Sequence, residues 1–171
     1  HRPISVLFVD ADYFKRYKKT YHVLMQVESV ACKGKALPNV SPVVEAMFMA
    51  ELDHAILTAG HDVDALQGSV RLLAAQGGEM YEGIGGRRQE VKALDMAMMD
   101  GAGIIASVIG GPDERTKIMP QTRRCMFVAY APAGIAVANV KRHLEDIGEY
   151  LQLFSPALQV EELTIFGNEE N

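Results

Sequence analysis

The sequence predicts an α+β fold, a β-rich central sheet or partly closed barrel bracketed by helices, in one domain over residues 1–171. Three observations predict it. Apolar residues recur at helical spacing over residues 13–30, 41–56 and 140–154. Residues 62–130 instead break into short apolar runs separated by Gly-Gly and Asp-Gly pairs, the texture of closely spaced strands. The 49% hydrophobic and 23% charged fractions of the 171 residues match an ordinary globular domain with a full core.

The elements follow in chain order. Residues 4–9 form a short apolar run rich in β-branched side chains, ended by Asp10, and read as a buried strand. Residues 13–30 read as an amphipathic helix whose basic face carries Lys15, Arg16, Lys18 and Lys19. The next helix opens with Ser41 as cap and Pro42 at the first helical position, where its missing N–H costs nothing. Its apolar stripe reaches Ile56, and Gly60 is the expected stop.

Strands are expected over 70–75, 90–94, 96–99, 104–109 and 126–130, with the tightest hairpin at Asp100-Gly101-Ala102-Gly103. Val140, Leu144, Ile147, Leu151 and Phe154 then fall at spacings of four, three, four and three, so a helix ends at Pro156. A last strand is expected over 160–166.

Charge narrows the function classes. Seventeen Lys and Arg against 22 Asp and Glu give a net charge of −5. DNA- and RNA-binding proteins usually carry a positive surplus, because displacing counterions from phosphate supplies much of their affinity. DNA is therefore not an expected partner, and RNA would need a local basic patch. The longest uncharged run, residues 125–140, is too short for a membrane span and contains Pro132. Cys32 and Cys125 lack metal-site spacing and read as reduced thiols of a cytoplasmic protein, with one disulfide between them left open.

Candidate chemistry is sparse. Glu51 and His54 share a helix face, the spacing used in metal-binding bundles, but no second Glu-x-x-His completes a site. A solvated helix end followed by a polar turn explains Glu51, Asp53, His54, His61, Asp62 and Asp64 without a metal. Neither Gly83-Ile84-Gly85-Gly86 nor the Gly110-Gly111 to Lys117 stretch matches a phosphate loop, so no cofactor is expected. Ser107 lies in an apolar strand with no base beside it. Three basic clusters remain: Lys15/Arg16/Lys18/Lys19, Arg87/Arg88 and Arg123/Arg124. They read equally as a phosphate-facing patch, with Tyr13, Tyr17 and Tyr21 to stack bases, or as a solubilising surface.

One stretch is more specific. Asp62-Val63-Asp64-Ala65-Leu66-Gln67-Gly68 through Val70-Arg71, then Gly77-Gly78-Glu79, Met98-Met99-Asp100-Gly101 and Ile105-Ala106-Ser107-Val108-Ile109-Gly110-Gly111, followed by Thr122, form an ordered series. It resembles the B3/B4 domain of the phenylalanyl-tRNA synthetase β subunit over residues 38–156. The resemblance implies a tRNA-editing module, which hydrolyses tyrosine wrongly attached to the phenylalanine tRNA, with tRNA or aminoacyl-tRNA as partner.

The family's functional side chains do not carry over. Its helix Asn falls at Phe48, its His before the Asp-x-Asp run at Ala59, and its strand Glu near Val128. Phe, Ala and Val can neither orient an ester nor position water. The resemblance thus implies a pocket formed by Phe48, Ala59, Ser107, Gly110, Gly111 and Val128, in a cleft between the 41–56 helix and the strand around 108–111, without that editing chemistry. Two alternatives stand beside it. One is a trans-acting hydrolase of mischarged tRNA with His54 or His61 recruited as base. The other is a small-molecule or amino-acid binding domain that never touches RNA, which the net charge favours.

Overall fold

The computed structural model describes residues 41–131 and 134–166. The expected strand at 4–9 and helix at 13–30, with its basic face, lie outside these residues. Helix α1 spans Pro42–His54. Ser41 is extended, and its Oγ accepts the Val44 N–H at 3.3 Å, so the cap forms where the sequence places it. The helix stops earlier than Gly60. Ala55 adopts the left-handed region (φ 54°, ψ 34°) and donates its N–H to Glu51 O. The Glu51 carboxyl then accepts the Thr58 N–H at 2.7 Å, fixing the reversal. Gly60 instead lies inside strand β1, Leu57–Asp62.

The described chain forms two compact units, with the second spanning Ala59–Met126. After a 3₁₀ turn at Val63–Ala65, its strands are β2 (Arg71–Ala74), β3 (Met80–Gly83), β4 (Arg87–Glu90), β5 (Met96–Asp100), β6 (Gly103–Ser107) and β7 (Gly111–Pro112). They build an antiparallel sheet of order β2-β5-β6-β7 and a separate β3-β4 hairpin, joined by a bridge between Gly83 and Asp113. Among the described residues the sheet does not close, so of the two expected forms the α+β fold has the open sheet and not the partly closed barrel. Asp100 pairs with Gly103 as expected for that hairpin. The Asp100 Oδ1 accepts the Ala102 N–H at 2.9 Å, and Gly103 takes φ 136°.

Of residues 90–94, expected as one strand, only Glu90 is in a strand, as the last residue of β4; residues 91–94 are not. Leu94 sits at φ 66° and donates its N–H to Ala75 O, so the chain turns where continuous pairing was expected. The core of this unit packs Ala75, Tyr81, Val91 and Ala97 with Leu73 and Ile104.

The other unit contains α1, the end of strand β8 (Cys125–Tyr130, paired with β1), and helix α2, Val137–Phe154. Helices α1 and α2 pack on each other. The expected stripe is buried at Val140, Leu144, Ile147 and Leu151, while Phe154 at the helix end is 58% exposed. Residues 155–166 contain no strand, which corrects the element expected at 160–166: among the described residues the segment has no paired neighbour to supply ladder hydrogen bonds. Among the described residues no helix is long and apolar enough to cross a membrane.

Candidate functional site

In the helical unit, α1 and α2 meet through a polar seam. His143 on α2 is fully buried, with Nε2 2.6 Å from Thr58 Oγ1 and Nδ1 3.3 Å from Ala50 O. One neutral tautomer satisfies both: Nδ1–H donates to the carbonyl and Nε2 accepts the threonine O–H. Burial, aided by the neighbouring His54, pulls the His143 pKa down to about 4, so the ring is neutral at pH 7. Burial likewise raises Glu51 to about 8, only partly offset by its bond from Thr58, and the carboxyl is held mostly protonated.

His54 is differently placed. Its Nε2 lies 2.6 Å from Asp146 Oδ2, and its ring meets that of His143 edge-on at 5.5 Å. Asp146, on α2, is buried and pairs through Oδ1 with Arg142 at 2.5 Å. A histidine oriented by a buried carboxylate is the arrangement that holds an imidazole ready for proton transfer. Phe48 on α1 and Val128 on β8 are both buried in this unit.

In the second unit, His61 is completely buried. Its Nδ1 lies 2.7 Å from Thr116 Oγ1, and that hydroxyl donates to Asp113 Oδ1. The chain of bonds puts the ring proton on Nδ1 and leaves Nε2 without a hydrogen-bond partner among the described residues. Burial, reinforced by Arg115, lowers the His61 pKa to about 4. Arg115 forks onto Asp100, with Nη2 2.8 and 2.9 Å from the two carboxylate oxygens, and its Nη1 reaches Ala65 O. Burial opposes ionisation of Asp100. The Gln67 and Ala102 N–H groups and Arg115 nevertheless hold its pKa below the ordinary value.

Ser107, Gly110 and Gly111 are brought together at one turn. The Gly110 N–H donates to Ser107 Oγ at 2.7 Å, and Tyr81 donates its O–H to Gly111 O at 2.8 Å. Asp95 accepts the Ile109 N–H. Gly111 takes φ 87°. Ala59 lies buried on β1. Arg87, Arg88 and Arg123 are exposed, and Arg124 approaches Asp64 at 3.5 Å. Lys15, Arg16, Lys18 and Lys19 fall outside the described residues.

Sequence reasoning missed Tyr81, Asp113, Arg115 and Thr116. Arg115 stands alone rather than in a basic pair, and the carboxylate it grips lies fifteen positions away across β6 and β7. Among the described residues, no group of three His, Cys, Asp or Glu side chains is arranged to hold a metal.

Comparison with known proteins follows the same outline. The model of the B3/4 domain family matches residues 13–164. The phenylalanine–tRNA ligase β subunit of Tropheryma whipplei (strain Twist) is 30% identical over 109 residues, which is 61% of this chain and 11% of that subunit. The chain therefore spans about a tenth of the length of that relative.

Proposed function

Because this chain belongs to the B3/4 domain family, we propose that it is a tRNA-related binding domain that resembles the synthetase editing module and lacks its editing chemistry. The observation that supports this is the pairing of the family match with apolar side chains at the positions of the family's polar groups. Phe48, Ala59 and Val128 are all buried, and none can polarise an ester or hold a water. The domain binds the charged tRNA end without cleaving it. Arg87, Arg88, Arg123 and Arg124, with Lys15, Arg16, Lys18 and Lys19, contact phosphates. Residues 1–171 act as one B3/B4-like domain.

The test is charge reversal. Replacing Lys15, Arg16, Lys18 and Lys19 together by Glu abolishes tRNA retention in a filter-binding assay, with the fold checked by circular dichroism. A folded variant that binds tRNA as tightly as the parent overturns the assignment of this face.

A second reading is favoured by the net charge of −5. In it the domain takes a free amino acid or similar small molecule and never meets RNA. Saturable amino-acid binding, with no tRNA binding at low salt, selects this reading over the first.

A further inference from the structure

The helical unit carries a cavity of about 370 Å³ that belongs to none of the polar groups described above. It lies along α2, between Leu144, Ile147 and Gly148 and the later residues Val160 and Leu163, with Phe127 as a further wall. Its size falls in the range of small-molecule pockets, about 300–1,000 Å³. Gly148 helps keep it open. A Cβ there would already touch Val160 Cγ2 at 3.4 Å, so any longer side chain would grow into the gap.

The apolar wall is joined by only three polar residues: Glu145, Glu149 and Gln152. The two glutamates are four residues apart on α2 and so share a face. Among the described residues no Lys or Arg lines the cavity. Among the described residues these carboxylates pair with Lys141, 3.7 Å from Glu145, and Arg142, 3.4 Å from Glu149. Both pairs are solvent-exposed, and such pairs are weak enough to exchange for a ligand ammonium. A ligand carboxylate would instead face Glu145 and Glu149, with no cation among the described lining residues to meet it. The half-open apolar surface and the sign of the charges beside it select the same kind of molecule.

We propose that this cavity binds a small organic cation with an apolar body, an aryl or branched alkyl amine. The site is independent of tRNA binding and stands or falls separately from that reading.

The experiment titrates the ¹⁵N-labelled full chain with phenethylamine and, in parallel, with 3-phenylpropionate, which has a similar apolar body and the opposite charge. Phenethylamine gives saturable amide shifts centred on 144–152, 160 and 163, and the anion binds at least about tenfold more weakly. The double substitution Glu145→Gln and Glu149→Gln removes that preference. Val160→Phe, at a position 46% exposed and so tolerant of size, blocks binding of the amine. Equal binding of both probes, shifts that do not saturate or that centre elsewhere, or unchanged affinity in Val160→Phe overturns the proposal.

Discussion

Gly110 and Tyr81 claim the same space: a Cβ built on Gly110 would lie 2.2 Å from the Tyr81 hydroxyl oxygen and 3.0 Å from Ser107 Oγ. The phenol reaches over the turn to donate to the Gly111 carbonyl, so the glycine is required by close approach. Gly110→Ala should destabilise the protein by about 1–3 kcal/mol, the usual range for overpacking. In a Tyr81→Phe background the oxygen is gone and that loss should shrink. Urea titration of the four proteins of this cycle measures the coupling, and strict additivity would show that the two residues do not compete.

Asp100 accepts from Gln67 N, from Ala102 N and, through both carboxylate oxygens, from Arg115 Nη2. Asp100→Asn removes one acceptor and the charge while Arg115 stays in place. A buried pair broken on one side loses about 3–5 kcal/mol, and the 34% exposure of Arg115 reduces this to about 2–3. The hairpin register should loosen with it, read as faster amide exchange over residues 98–106. A loss under about 0.5 kcal/mol, the range of ordinary surface substitutions, contradicts the assignment.

Glu51 and His143 give opposite slopes of stability against pH. The Glu51 pKa is raised from 4.5 to about 8, so its contribution is full below pH 4.5 and is lost as pH rises through 8. His143 is lowered from 6.5 to about 4, so the fold favours its neutral form and loses stability as pH falls from 6.5 towards 4. Glu51→Gln keeps an acceptor for the Thr58 N–H and cannot ionise. Relative to the parent it should gain on the order of 3 kcal/mol between pH 5 and pH 8. Parallel denaturation curves for the two proteins across that window would show that Glu51 does not titrate as described.

The His54–Asp146 pair is where a hydrolase would have to show itself. The proposed function predicts that the parent chain hydrolyses mischarged aminoacyl-tRNA no faster than buffer, and that His54→Ala and His61→Ala change nothing. Ester cleavage by the parent that disappears in His54→Ala would establish the catalytic alternative. His61 is a poor base in this setting. It is enclosed, and its Nδ1 proton is committed to Thr116.

Helix α2 and the Asp100–Gly103 hairpin were legible because each is specified by adjacent residues. The four-three spacing of Val140, Leu144, Ile147 and Leu151 and the Asp-Gly turn need no partner to be recognised. Strand β1 was not legible. Its central residues Thr58, Ala59, Gly60 and His61 are all buried, so no alternation marks it, and two of them are poor strand formers. The hairpin β3-β4 was missed for the reverse reason: Glu82, Arg87, Arg88 and Glu90 make its strands too polar to read as apolar runs.

Helix α1 stops at Ala55, a residue that gives no warning of a left-handed conformation. The candidate site divides in the same way. His54 could be picked out as a titratable residue, but its partner Asp146 lies 92 positions away. Only the packing of α1 on α2 brings them together.

The central claim is most directly tested by binding of the full chain to bulk aminoacylated and deacylated tRNA at two salt concentrations. The account predicts salt-sensitive binding that prefers the charged tRNA and leaves its ester intact. No binding to either tRNA at the lower salt concentration would contradict it.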